Sequence, residues 1–174
     1  KTNLLEILES ALQVGDVTGR RIQNWIYAWS ILRRSPELDA ELNWRMITHI
    51  HDEVQWLQRN LHAKRNHRTL ELYAIFLFGV AFPEFASARQ MRESALVELC
   101  LNAQQDFRRN GGHVEQSTHY HCIVLKNFLN VVRLARINGI RLPEGFIERL
   151  SRAVDFAFAI HRPDGEIAAL SDAD

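Results

Sequence analysis

The chain has 174 residues, of which 47% are hydrophobic and 24% are charged, a composition typical of a globular domain with one core. Lys plus Arg and Asp plus Glu both number 21, so the formal net charge is zero and a nucleic acid is not an expected partner. The longest strongly apolar run, residues 72–82, is too short to cross a bilayer, so no membrane span is expected either.

Helical periodicity dominates the first part of the chain. Gly15 and Gly19 fall between two helical patterns, and we expect the short segment that contains them to break the helix. Ser35 followed by Pro36 is typical of an N-cap and a first helical position, so the next helix is expected to start there. The predicted helices of this part cover residues 3–12, 20–33 and 35–59.

The next predicted helix, residues 72–82, differs in kind because it is apolar almost all round. Such a helix is buried on every side, whereas a surface helix has one polar face. Three further amphipathic patterns follow, and Gly139 is a typical residue for the end of the second of them. These patterns predict helices over residues 87–107, 117–138 and 143–161.

Amphipathic and more buried helices thus alternate along the chain, joined by short loops. This order fits a solenoid of helix pairs or an α/α toroid with an inner and an outer ring. No repeat of the length found in helical-repeat arrays is present, which favours the toroid. We therefore predict an all-α fold, an incomplete α/α toroid of helical hairpins with inner and outer helices, forming a single domain over residues 1–174.

The toroid predicts where polar residues meet. If the second, fourth and sixth helices form the inner ring, they are parallel and their N-terminal ends open on one mouth. The loop at 162–166 is expected to open there too. Helix N-termini attract anions, so the cations at these ends should make the mouth anion-binding. The polar ends are residues 19–24, 64–71 and 113–121, and their cations are Arg20, Arg21, Lys64, Arg65 and Arg68.

Simpler roles are open for the same residues. Ser117 would serve as an N-cap, Glu71 as a surface charge, and Tyr120 as a core residue with a satisfied hydroxyl. A metal site is not expected, since His119 and His121 are two positions apart and would point about 200° away from each other on a helix. Neither a metal nor another cofactor is predicted.

Two stretches carry a resemblance to a known family. Residues 66–71 (NHRTLE), followed by Gly79 and by Phe-Pro-Glu at 82–84, are similar to an N-H-x-x-x-E…G…F-P-E pattern. Residues 112–121 (GHVEQSTHYH) are similar to a G-x-x-x-E-Q-S-x-x-Y-H pattern, the more specific of the two. From about residue 15 onward the chain resembles the heparinase II/III-like polysaccharide lyases.

The resemblance implies cleavage of uronic-acid polysaccharides by β-elimination, in a cleft between a helical toroid and a C-terminal β-sandwich. Asn66 and His67 match the residues that neutralise the uronate carboxylate by hydrogen bonding. Tyr120 matches the tyrosine that takes the C5 proton and protonates the departing oxygen. These three are the expected catalytic residues. The expected substrate-binding residues are Arg68, Glu71, Glu115, Gln116, His119 and His121.

The β-sandwich of the family, which adds a histidine to the active site, has no counterpart in the sequence. We therefore expect a fragment of a larger protein that is inactive on its own. Its expected partners are an acidic polysaccharide and the missing sandwich. The resemblance implies a periplasmic or secreted protein, although the chain, which starts at Lys1, shows no signal peptide.

Two other functions remain open from the sequence. One is a non-catalytic carbohydrate-binding or assembly module that keeps the toroid. The other is a helical scaffold for protein interactions, which would leave Asn66, His67 and Tyr120 far apart.

Overall fold

The structure, a computed structural model, describes residues 15–171 and is helical throughout this range, apart from turns, loops and two isolated β-bridges. The predicted helix over residues 3–12 lies outside the described residues. The helices are α1 (Gly15–Leu32), α2 (Ala40–Arg59), α3 (Arg65–Ala81), α4 (Ala88–Asp106), α5 (Thr118–Ile137) and α6 (Glu144–Ala159).

Helix α1 begins at Gly15, so the predicted break over the two glycines is wrong. Both glycines serve close helix packing instead. A Cβ on Gly15 would lie 2.3 Å from Glu71 Oε1, and one on Gly19 would lie 2.8 Å from Leu70 Cδ2. The cost of glycine in a helix is therefore offset by the close approach of α1 to α3.

Helix α2 begins at Ala40, later than the predicted start at Ser35 and Pro36. Asp39 is the N-cap, and its carboxylate accepts from the Leu42 backbone N–H at 2.7 Å. Ser35 instead forms a turn, in which its carbonyl accepts from the Leu38 N–H at 3.2 Å. Both positions carry capping residues, and the chain uses the second.

Each inner helix packs antiparallel against the outer helix that follows it. Helices α1 and α2 are joined by Arg21 and Glu53 near one end and by Trp29 and Asn43 near the other. Helices α3 and α4 approach closely at Gly79, where a Cβ would lie 2.6 Å from the Ala88 carbonyl oxygen. The inner helices α1, α3 and α5 pack side by side, with α2, α4 and α6 outside them. The predicted incomplete toroid with inner and outer helices is confirmed.

Helix α3 is the centre of the core. It packs against α1, α2, α4 and α5, and every residue from Thr69 to Gly79 is buried. Its start at Arg65 is earlier than the predicted start at residue 72. The prediction of a helix enclosed on all sides is confirmed, because a helix with four neighbours leaves no face for polar residues.

The ends of the helices place the polar segments together. The first turns of α3 lie beside the end of α4, where Asn102 Nδ2 donates to Thr69 Oγ1 at 3.1 Å. Phe107, directly after α4, packs against His121 and Phe128 in the first half of α5. The N-terminal ends of α3 and α5 therefore lie on the same side of the molecule. No helix within residues 15–171 is long and apolar enough to cross a membrane.

Candidate active site

The N-terminal end of α3 is shaped by an unusual backbone conformation. Arg65 has φ +69°, which is rare for a residue with a side chain and is often found at functional sites. Directly after it, Asn66 Oδ1 accepts from the His67 backbone N–H at 2.5 Å. This contact uses the amide oxygen of Asn66, and the NH₂ group of the same side chain is its donor end.

A histidine in the loop between α2 and α3 supports this end of the helix. The backbone N–H of His62 donates to Glu71 Oε2 at 2.8 Å, and His62 Nδ1 donates to Glu71 Oε1. The side chain of Glu71 is fully buried, and the ring of His62 stacks on that of His67 with centroids 5.0 Å apart. Glu71 is therefore not the surface charge that one simple role assigned to it.

Arg68 links this loop to the outer layer. Its Nη1 donates to the His62 carbonyl oxygen at 2.7 Å, and its Nη2 pairs with Glu98 on α4. The guanidinium, which is only 18% exposed, thus has partners on both sides. The predicted contact of Arg68 with substrate is untested, and the structure gives it a role in holding the loop.

The N-terminal end of α5 repeats the backbone feature. Gln116 has φ +59°, and the next residue, Ser117, is the N-cap, as one simple role proposed. Its hydroxyl accepts from the Tyr120 backbone N–H at 3.2 Å. Tyr120 is half-buried, with its ring 5.7 Å from that of the exposed His119. The cap fixes the first turn of α5, and with it the backbone of Tyr120.

Two neutral histidines are buried behind this turn. His121, 1% exposed, contacts the Ala153 carbonyl oxygen through Nε2 at 3.1 Å, while His113, 3% exposed, accepts from the Glu115 N–H through Nδ1 at 3.3 Å. Burial lowers the pKa of His113 to about 4 and also lowers that of His121. The opposite directions of His119 and His121, one exposed and one buried, follow from their spacing.

Asp106, the last residue of α4, joins the two polar segments. Its carbonyl oxygen accepts from the Val114 N–H at 2.8 Å. Burial, and after it the charge of Glu115, raise the pKa of its carboxyl to about 6 against the opposing charges of Arg65 and Lys64. The α3 end and the segment before α5 therefore share one electrostatic environment around this carboxyl.

A cavity of about 210 Å³ opens beside the α5 end, with Gln116 and His121 of the predicted binding residues in its wall. The C-terminal part of the chain closes one side, since Thr118 Oγ1 donates to the Ala168 carbonyl oxygen at 2.8 Å. A larger groove of about 710 Å³ lies between α1 and α2 and includes none of the predicted site residues. We place the candidate site at the first cavity and the adjoining α3 end because the polar side chains gather there.

The structure thus places the predicted residues in three settings. Asn66 and His67 are accessible at the end of α3, and Tyr120 lies in the first turn of α5. Glu115, Gln116 and His119 surround that turn and His121 is buried behind it, whereas Glu71 is buried within α3. Their roles in catalysis or substrate binding remain predictions. Within the described range, no group of three or more residues is arranged to hold a metal ion, and Cys100 and Cys122 are free thiols.

Sequence reasoning missed His62, His113 as a buried group, and Asp106. For Asp106 a signal was available, because the buried stripe of α4 runs through Leu99, Asn102 and Ala103 and reaches Asp106 at the same helical spacing. No comparable signal marks His62, since its contact with Glu71 depends on the path of a loop.

The sequence matches one family of known proteins. Residues 11–174 match the family described as Heparinase II/III N-terminus. A heparin-sulfate lyase of Bacteroides stercoris is 23% identical over 155 residues, which are 88% of this chain and 23% of that protein. A heparin-sulfate lyase of Bacteroides thetaiotaomicron is 28% identical over 93 residues, 52% of this chain and 13% of that protein.

Solved structures show the same fold. A heparinase III superimposes with a TM-score of 0.81 at 21% identity, covering 87% of this chain and 23% of that one. The heparan sulfate lyase HepC from Pedobacter heparinus gives 0.74 at 20% identity, covering 88% and 24%. The chain therefore spans about a quarter of the length of these structures. Since the family match covers nearly the whole chain, the chain belongs to the heparinase II/III N-terminal family.

Proposed function

We propose that this chain is the helical module of a polysaccharide lyase that cleaves uronic-acid-containing chains by β-elimination. Its family membership and its curated relatives, both heparin-sulfate lyases, support a lyase as the parent protein. The substrate is an acidic polysaccharide, and the parent protein is exported to the periplasm or secreted, where such polymers are met.

The observation that carries the proposal is the orientation of Asn66. Removal of the C5 proton of a uronate is difficult because negative charge builds up beside a carboxylate. A neutral donor that binds the carboxylate spreads this charge and stabilises the transition state. The Asn66 amide has its oxygen engaged by the His67 N–H, so its NH₂ group is the donor that this role needs. His67, exposed beside it, is the second donor.

Tyr120 is the acid and base of the proposed reaction. As phenolate it takes the C5 proton, the C5–H electrons form the C4=C5 double bond, and the C4–O glycosidic bond breaks. The departing oxygen then receives the proton from the phenol, which restores the phenolate. The Ser117 cap holds the turn from which Tyr120 reaches the substrate.

The remaining part of the site lies, in this proposal, on a β-sandwich of the parent protein. The family resemblance implies a further histidine there. Residues 1–174 then supply one wall of the cleft, as a single helical domain, and the isolated chain turns over no substrate.

An activity screen tests the proposal. The longest natural form that contains this chain, and the chain alone, are incubated with heparan sulfate, alginate and other uronate polymers, and the absorbance of unsaturated uronate is followed. Product is expected only from the long form. Turnover by the isolated chain would contradict the one-wall arrangement, and no turnover by the long form on any polymer would contradict the lyase assignment. Binding without turnover by the long form would point to a carbohydrate-binding module.

A further inference from the structure

His62 is held from several directions although it lies in a loop. Its N–H donates to Glu71 Oε2 at 2.8 Å, and its Nδ1 donates to Glu71 Oε1. Its carbonyl oxygen accepts from Arg68 Nη1 at 2.7 Å, while Arg68 itself pairs with Glu98. Backbone and ring are therefore both fixed, which is unusual for a residue whose side chain is 43% exposed.

Glu71, the residue that anchors His62, is buried and tightly enclosed. The side chain of Glu71 has 0% exposure, and His62 occupies both of its oxygens. A Cβ on Gly15 would lie 2.3 Å from Glu71 Oε1 and 3.1 Å from His62 Nδ1. Helix α1 thus closes over the pair, and only a glycine fits there. The pair is stable because a buried carboxylate that loses a hydrogen-bond donor costs free energy.

The ring of His67 stacks on the exposed face of the His62 ring. Their centroids are 5.0 Å apart and the ring planes are inclined by 28°. We propose that His62 is a positioning residue, anchored by Glu71 and Arg68, that holds the His67 ring by stacking at the end of α3. The inference rests on the proposed function, in which His67 contacts the uronate carboxylate.

Two substitutions separate stacking from anchoring. The side-chain amide of His62→Asn replaces Nδ1 as a donor to Glu71 but removes the ring. His62→Phe keeps a ring over His67 but removes the donor, leaving one oxygen of the buried carboxylate unpaired. If His62 positions His67 by stacking, the two variants rank differently in stability and in activity. The melting temperature should fall further in His62→Phe, because a buried carboxylate oxygen loses its donor. The value of kcat/KM should fall further in His62→Asn, by about 10-fold and mainly in kcat.

The long form of the protein is used for this test, with a heparan sulfate or other polymer that it cleaves. His49→Asn, at an exposed histidine on α2, is the matched control and should leave kcat/KM unchanged. In a His67→Ala background, the two His62 variants should have the same kcat/KM as His67→Ala alone. Activity that follows melting temperature, or losses that multiply in the double variants, would overturn the inference.

A crystal structure of His62→Asn decides the question independently of activity. The His67 ring is expected to leave the orientation seen here while Glu71 keeps its place. An unchanged His67 ring would overturn the positioning role even in a protein with no lyase activity. Conversely, absence of product from the wild-type long form, with His67 displaced in the variant, would contradict the proposed function and leave the positioning role standing.

Discussion

The two polar segments at the mouth, residues 62–71 and 113–121, are stabilised in different ways. The first is held through carboxylates: Glu71 accepts from His62, and Glu98 pairs with Arg68, below an exposed His67. The second is held by burial and neutral hydrogen bonds, with His113 and His121 uncharged among aromatic rings. The first segment is thus the more accessible of the two, and the second is largely buried.

This difference fits the separate roles that the proposed function gives to the two segments. In the proposed reaction, donors that bind an anionic polymer need access, and Asn66 and His67 lie at the accessible end of α3. The proposed proton-transferring group, Tyr120, needs a fixed position, and it lies in the capped first turn of α5. The next three predictions test this division from the largest expected effect to the smallest.

Replacing Tyr120 tests the rigid side. In the long form, Tyr120→Phe is expected to lower kcat by about 10³-fold because the proton-transferring hydroxyl is lost. Binding of the polymer should stay the same, since the ring and the Ser117 cap remain. Initial rates by ultraviolet absorbance and affinity by calorimetry measure the two effects. If the variant turns over the polymer as fast as the wild-type protein, Tyr120 is not the proton-transferring residue.

Replacing Asp106 tests the residue that joins the two polar segments. Burial first, then the charge of Glu115, raises its pKa from 3.8 to about 6. A raised acid pKa gives stability at low pH that is lost as the pH rises through the folded-state pKa. Asparagine stays neutral, so Asp106→Asn should raise the free energy of unfolding by about 2 kcal/mol above pH 6.

This gain should shrink as the pH is lowered from about 6 to 4, where the wild-type carboxyl is itself protonated. Urea unfolding between pH 4 and 8 measures it, with Asp155→Asn on the exposed face of α6 as control. The contribution of His113 to stability depends on pH in the opposite direction. Because its pKa is lowered to about 4, this contribution is present above pH 6.5 and is lost as the pH falls toward 4. A gain that is the same at every pH would contradict the role of the Asp106 charge.

Replacing Asn66 tests the accessible side. Asn66→Asp keeps an oxygen for the His67 N–H but replaces the NH₂ donor by a carboxylate oxygen. We expect kcat/KM of the long form to fall by about 10-fold while the melting temperature changes little. Steady-state kinetics and calorimetry give the two values. A variant with unchanged kcat/KM would show that the amide does not meet the carboxylate.

The sequence predicted the fold well because helical periodicity and all-round burial are local patterns. The central position of α3 followed from its composition alone. The break at Gly15 and Gly19 was predicted wrongly because a glycine signals both helix ends and close packing, and only the position of α3 decides between them. The start of α2 was missed because Ser35 and Asp39 are both good caps.

The site was predicted in part, for a related reason. Polar residues at three helix ends indicated a mouth, and the patterns around Asn66 and Tyr120 indicated its chemistry. Which of these side chains are accessible depends on neighbours distant in sequence. Glu71 is buried by Gly15 of α1, and His121 is buried against Ala153 and Phe156 of α6. No local pattern carries that information.

The enclosure of α3 also constrains how such a module can be adapted. Residues 69–79 touch four helices, so nearly every change there disturbs packing rather than specificity. Residues 63–64 and 108–110 are exposed at the same end and tolerate changes far better. Under the proposed function, exchange of these exposed residues between relatives is therefore the route to a different polymer preference that leaves the packing of α3 intact.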